Sequence, residues 1–393
     1  MEGKICIRKL RLTNLLSYGH EGEEIELQPL NVLIGANTSG KSNLIEALGI
    51  LRATPTDLPA PFRQGGGVSE FLWKGSQEKS IATIDATIDY PQRTQNIHYK
   101  ISLTEVGQKL ELVDEAVENE QPFPDENDVY FYYRYQSGRP VLNNISKEKR
   151  YLKREELIPG QSVLSQRKDP DLYPELSYIS NIFSNISLYR HWQMGRYSQP
   201  RNAQKTDLPE HPLLEDASNI GLVLNNLQHQ IGNKKILDSL KEFYATAEEM
   251  SVRIYGGTVQ IFIREQGFIQ PIPANRLSDG TLRYLFLMAL LLDPTPPPVI
   301  CLEEPEIGLH PDILPTIAEM LIAASERTQL IVTTHSDALV SGLSEYPESV
   351  IVCERDNKGS HLRRLEPNQL RDWLKNYTLG DLWRMGEIGG NRW

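Results

Sequence analysis

The sequence predicts an α/β fold built on a largely parallel sheet, and two observations carry that prediction. A short apolar run at 31–34 leads straight into GANTSGKS at 35–42 and then into helical spacing at 40–52. In the last third, apolar runs at 299–302 and 330–333 alternate with helical patterns at 281–292 and 311–324. Short, continuous apolar runs suit strands buried on both faces of a parallel sheet. With a strand-loop-helix unit at the front and alternation at the back, the sheet is expected to assemble from the two ends of the chain.

The elements follow in order. Residues 4–13 alternate (Ile5, Ile7, Lys9, Arg11), the mark of a half-buried strand, and 23–27 reads as its antiparallel partner. In the helix at 40–52, Leu44, Ile45, Leu48 and Leu51 form the apolar stripe, and the Pro-rich stretch 55–61 ends it. Strands are expected at 81–90 and 97–103. From 105 to 210 the pattern weakens: acidic and Pro-rich at 114–128, aromatic at 129–135, basic at 147–154. This reads as an inserted lobe of mixed α+β or helical character, without the sustained heptads of a long coiled coil. Helical patterns return at 219–230 and 234–249, with strands near 251–264. The expected organisation is an N-terminal part at 1–104, the inserted lobe at 105–210, a connecting lobe at 211–269, and a C-terminal part at 270–393.

The bulk numbers bound the function. The 393 residues are 39% hydrophobic and 24% charged, as in a folded chain, and the net charge of −11 excludes a broadly basic surface. No apolar run approaches the ~20 residues of a membrane helix. The start, MEGKICIRKL, has no signal-peptide core, so a cytoplasmic location without a membrane partner is expected. Cys6, Cys301 and Cys353 lie far apart in apolar runs, which reads as buried free thiols rather than a disulfide or zinc framework.

Four motifs carry chemistry. GANTSGKS has the G-x-x-x-x-G-K-S spacing of a phosphate-binding loop. Gly35, Ala36, Asn37, Thr38, Ser39 and Gly40 supply the cradle, Lys41 meets β and γ oxygens, and the Ser42 hydroxyl ligates Mg²⁺. VICLEEPEIGLHP, 299–311, ends an apolar strand in Glu303 and Glu304. Carboxylates at that sheet edge suit a metal-holding role for Glu303 and a water-orienting role for Glu304. TTHSDALV, 333–340, sets His335 after the next strand, where it can reach a γ-phosphate; a helix-entry role, with Ser336 as cap, is the plainer reading. RLSDGTLRYLFLMALLL, 276–292, opens an apolar helix with Ser278, Asp279 and Gly280, a second anion site in a chain that already has one. That makes sense if it caps a γ-phosphate held by another subunit.

The order GANTSGKS, LSDGT, CLEEPEIGLHP, TTHS resembles the ABC-type ATPase heads of the SMC and RecF kind. LSDGT stands where their signature, normally LSGGQ, is found. EEPEIGLHP and the ending LGDLWRMGEIGGNRW resemble the short AAA-like ATPases related to OLD-family proteins. The resemblance implies an ATPase using ATP and Mg²⁺, closing head to head around two ATP molecules, each clasped by Lys41 of one protomer and Ser278 of the other. Glu303 stands where the family has Asp, and Asp279 replaces the first Gly of the signature. For the lid glutamine, Gln121 and Gln193 are the candidates. The function implied is a dimeric switch acting on nucleic acid or on a partner effector, as in anti-phage defence. A RecF-like repair ATPase is the alternative, and a transporter's nucleotide-binding subunit is a third. OLD proteins carry a nuclease after the ATPase, whereas about sixty residues follow His335 here, so a nuclease or toxin is expected on another chain.

Three weaker features remain. VYFYYRYQSGR, 129–139, interleaves aromatics with Arg134 and Arg139 as a base-stacking surface does, but a strand is favoured. Lys147, Lys149, Arg150, Lys153 and Arg154 form either a DNA phosphate stripe or, more plainly, a solvated helix face. Trp383, Met385, Ile388 and Trp393 in the tail either dock on the core, the favoured reading, or bind a partner chain.

Overall fold

Strand β1 (Ile7–Thr13) shows the alternation read in the sequence: Ile7, Leu10 and Leu12 are buried, while Arg8 and Arg11 face outward. It pairs antiparallel with β2 (Glu23–Glu26), Leu10 opposite Ile25. The computed structural model describes residues 3–75, 80–124, 126–136, 139–144, 149–152, 157–190 and 194–390. It divides into two units, one of Ile5–Ile186, Ile351–Leu365 and Gly389–Trp393, the other of Met1–Lys4, Ser187–Val350 and Glu366–Ile388.

The first unit continues with β3 (Leu30–Ile34), α1 (Lys41–Ala53) and α2 (Ala60–Gln64). Then come β4 (Ala82–Ile88), β5 (Ile97–Val106), β6 (Lys109–Asn119), β7 (Phe131–Gln136), β8 (Arg139–Asn143) and β9 (Lys149–Tyr151). With β1 and β2 they make an eight-stranded sheet in the order β2-β1-β4-β5-β6-β7-β8-β9. Helices α3 (Val163–Gln166) and α4 (Pro174–Ser184) follow. Ile84, Tyr99, Ile101, Val117 and Tyr133 of the sheet and Leu176, Ile179 and Phe183 of α4 are buried, and Tyr99 meets Phe183 edge-on at 5.3 Å.

The aromatic stretch is a strand, as favoured. Tyr132 and Tyr133 are buried, while the Arg134 guanidinium donates to Glu118 and lies over the Phe131 ring. The helix-face reading of the basic stripe is corrected: Lys149–Tyr151 is strand β9, paired antiparallel with β8, because Leu142 and its neighbours offer it an open edge. Lys147, Lys153 and Arg154 lie outside the described residues, as do Gln193 and Trp393.

The second unit begins with β10 (Ile186–Tyr189), β11 (Gln204–Lys205), α5 (Ile220–Ile231) and α6 (Asn233–Phe243). Strands β12 (Ala247–Tyr255), β13 (Thr258–Glu265) and β14 (Ile272–Pro273) follow, β13 pairing with β11, β12 and β14. The helix expected to reach 249 therefore stops at Phe243. A register shift between Ala247 and Glu249 puts the inward Ala247 and Met250 three residues apart, a spacing that imitates a helix. The unit goes on with α7 (Asp279–Leu291), β15 (Val299–Glu303), α8 (Leu314–Ser325), β16 (Gln329–Thr333) and α9 (Asp337–Ser341). β15 and β16 run parallel, Glu303 opposite Thr333, and β10 flanks β15.

The chain then returns to the first unit with β17 (Val350–Asp356), which lies beside β3 and pairs antiparallel with β18 (Gly359–Arg364). Strands from opposite ends of the chain thus share one sheet. Helices α10 (Pro367–Leu370) and α11 (Leu379–Met385) close the second unit. A capping box of Thr378 and Asp381 starts α11, and Leu382, Trp383 and Ile388 are buried while Met385 is exposed, so the described tail docks on the core. All three cysteines are buried and free. Among the described residues the longest helices, α1 and α7, have 13 residues, and no helix is long and apolar enough to cross a membrane.

Candidate functional site

In the first unit, β3 delivers the chain into the phosphate loop with all five of its residues buried. The loop then takes three positive backbone angles, Gly35 at φ 148, Thr38 at φ 71 and Gly40 at φ 105. Glycine is needed at both ends for space as well as for angle. A Cβ on Gly35 would lie 2.2 Å from the Cys353 carbonyl oxygen, and one on Gly40 would lie 2.3 Å from Ser360 Oγ and 2.7 Å from Ser17 Oγ. The loop is braced from outside its own motif. Tyr18 Oη donates to the Gly40 carbonyl at 3.1 Å, Asn43 Nδ2 donates to Ser17 Oγ at 2.7 Å, and Ser360 Oγ donates to Ser17 Oγ at 2.7 Å. Burial raises the Tyr18 pKa well above the ordinary tyrosine value, so the phenol stays a neutral donor.

Inside the loop, Lys41 folds back so that Nζ donates to the Gly35 and Ala36 carbonyls at 2.8 and 2.9 Å. The Ser39 hydroxyl is buried without a hydrogen-bond partner, while Asn37, Thr38 and Ser42 face solvent. A glycine-bounded loop with an inward ammonium and an unsatisfied hydroxyl makes a cradle suited to phosphate oxygens.

In the second unit, Glu303 ends β15 and Glu304 follows with φ 47, a left-handed angle that a glutamate rarely takes. The Glu304 N–H donates to the Thr333 carbonyl at 2.9 Å, which fixes the turn against β16. His335 Nε2 lies 3.6 Å from Glu304 Oε1, both side chains about one-third exposed. Two sequence candidates that follow separate strands are therefore brought together as a partly exposed acid–imidazole pair. Beneath them is Glu306, to which the motif reading gave no role. Its Oε1 accepts from Thr334 Oγ1 and from the His335 N–H, each at 2.7 Å. Burial raises the Glu306 pKa, and those two hydrogen bonds oppose the shift.

The signature is a helix start in the structure as in the sequence. Ser278 caps α7, its Oγ accepting from the Thr281 N–H at 3.0 Å. Gly280 packs so closely that a Cβ would come within 3.0 Å of the Gly308 carbonyl oxygen. Asp279 is exposed and paired with Arg201, whose signal in the sequence is nil, since it lies in an unremarked turn 78 residues away. Arg283, one turn along α7, is buried; desolvation lowers its pKa to about 10 against the charges of Glu306 and Asp279.

Residues 30–341 match the family described as "AAA domain, putative AbiEii toxin, Type IV TA system". The chain belongs to that family. Among solved structures, this family member is similar to an Smc head bound to the C-winged helix domain of ScpA, with TM-score 0.57 and 14% identity over 94% of this chain and 100% of that one. It is also similar to a Pyrococcus furiosus Smc head with an extended coiled coil, bound to the C-terminal domain of ScpA, at TM-score 0.56 and 14% identity over 94% and 98% of the two chains. A Pyrococcus yayanosii Smc head with a coiled coil and joint gives TM-score 0.51 at 11% identity, covering 94% and 99%. No curated protein matches the AAA-domain chain by sequence. At these identities the likeness is one of fold: the chain has the mixed α/β fold of the Smc ATPase heads.

Proposed function

We propose that this chain binds and hydrolyses ATP as a switch, two copies closing around the nucleotide to control a separately encoded effector. The observation that carries the reading is the phosphate loop, whose glycine-bounded cradle holds Lys41 inward and leaves the Ser39 hydroxyl unsatisfied. In this reading residues 35–42 hold the triphosphate, and Ser42 and Glu303 hold Mg²⁺. Bound there, the ion would neutralise charge building on the β and γ oxygens. Mg²⁺ takes one or two protein ligands, here Ser42 and Glu303, and fills the rest of its shell from phosphates and water. Glu304 orients the attacking water and accepts its proton, and His335, set by Glu306, donates to the γ-phosphate.

The signature helix start, with Ser278 and Gly280 as its contacts, then serves the ATP of the second copy. The family's description names a putative toxin of a Type IV toxin–antitoxin system, which supports a role in defence; the toxin or nuclease on a separate chain is part of the proposal. Smc heads bound to ScpA domains support a head of this fold taking a separate protein. A protein effector is favoured over nucleic acid because the net charge is −11 and Tyr132 and Tyr133 of β7 are buried in the core.

The test is complementation. Lys41→Ala and Ser278→Arg chains are each expected to be inactive alone. Mixed, they form dimers in which both lesions fall on one composite site while the other site is intact. ATPase activity should return on mixing and rise with protein concentration. Failure to recover, together with full activity in an isolated wild-type monomer, would sink the two-copy reading.

A further inference from the structure

The signature carries a carboxylate at the point where, on the reading above, a second copy presents a triphosphate. A helix N-terminus attracts anions, but a free carboxylate in its first turn repels them. Arg201 answers that problem. Its side chain is 8% exposed, whereas that of Asp279 is 64% exposed. The Arg201 Nε donates to the Met194 carbonyl at 3.0 Å, one terminal nitrogen donates to the Leu277 carbonyl at 2.6 Å, and the other is bonded to Asp279 Oδ1.

Two backbone carbonyls and one carboxylate thus fix the planar guanidinium in place, using the fork geometry in which arginine excels. Held on three sides, it is not free to swing out as a mobile finger. The carbonyl of Leu277 belongs to the residue just before the Ser278 cap, so the same side chain also sets the entry angle of α7.

We propose that Arg201 is a positioning residue for the signature: it cancels the charge of Asp279 so that this LSDGT start can receive the γ-phosphate held by a second copy. The proposal rests on the two-copy reading and deepens it. A signature with aspartate in place of glycine works here only with its own built-in counterion.

The experiment uses the full chain with ATPγS and Mg²⁺, and reads dimerisation by sedimentation equilibrium. Binding of a fluorescent ATP analogue at dilute, monomeric concentration reports on the phosphate loop separately. Arg201→Gln should weaken nucleotide-dependent dimerisation by on the order of tenfold or more, as expected when one unscreened charge faces an anion. Adding Asp279→Asn to that variant should restore dimerisation to near the wild-type value. Asp279→Asn alone alters an exposed side chain and spares the fold, and it should dimerise at least as tightly as wild type.

Wild-type dimerisation by Arg201→Gln would overturn the proposal. So would failure of Asp279→Asn to rescue it, which would leave Arg201 as support for the Leu277 turn. Weaker dimerisation by Asp279→Asn alone would make Asp279 itself the contact and also overturn it. If the wild-type chain binds the analogue but stays monomeric with ATPγS, the two-copy reading falls and the proposal falls with it.

Discussion

Glu304 sits in a backbone conformation that its own side chain disfavours. A non-glycine residue in the left-handed region costs about 1 kcal/mol or more, and outliers of this kind gather where chemistry is done. Glu304 at φ 47 is held there by the Thr333 carbonyl, and its carboxylate faces His335. Two substitutions separate the cost from the use. Glu304→Gln keeps the backbone and the cradle but replaces the proposed base, so ATP binding should persist while turnover falls by roughly a hundredfold or more. Glu304→Gly should abolish turnover equally, yet relieve the angle and raise the melting temperature by roughly 2–4 °C. Calorimetry and a phosphate-release assay measure both. Equal hydrolysis by Glu304→Gln and wild type would remove the residue from the mechanism, and a lower melting point for Glu304→Gly would show the turn to be relaxed.

At the scale of elements, the short helix α3 depends on a buried carboxylate. Glu115 in β6 accepts from Tyr99 Oη at 2.8 Å and from the Val163 N–H at 2.9 Å, and it is also bonded to the Ser162 hydroxyl. Burial raises its pKa to about 7, against the pull of those donors. Between about pH 4.5 and 7 the folded chain keeps a proton that the unfolded chain has released. Stability from this group is therefore fully present below pH 4.5 and is lost as pH rises through 7, by roughly 3 kcal/mol in all. Glu115→Gln should flatten that part of the pH–stability curve in urea titrations at pH 4.5, 5.5 and 7; an unchanged slope would assign it to other groups. Local signals of this scale were mostly legible. Apolar runs and glycine spacing marked β3, α1, α7, β15 and β16, because strand and helix periods are properties of adjacent residues. The bulge in β12 was not, since a shifted register counterfeits helical spacing. Nor were Arg201, Glu306 or the Ser17–Ser360 brace, whose roles exist only once distant segments meet.

The chain is interleaved: the first unit begins with β1 and takes in β17 and β18 only after most of the second unit, which α10 and α11 then close. The floor of the phosphate loop is part of that late return. Gly35 rests on the Cys353 carbonyl, Gly40 on Ser360, and Arg355 donates to the Thr38 carbonyl at 3.4 Å. A chain ended after Tyr346 keeps GANTSGKS, LSDGT, both acids and His335, yet it should show no saturable ATP binding; binding at full strength would mean the loop holds its shape unaided. During synthesis this acquires a temporal meaning. Ser17 and Ser360 are 343 residues apart in the chain. At ~5–20 residues per second, a ribosome takes roughly twenty to seventy seconds to span that gap. On the reading proposed above, GANTSGKS leaves the ribosome long before the strands that floor it, so a nascent chain that has not yet reached Ser360 should not bind ATP, and nucleotide binding would report that synthesis had passed β18.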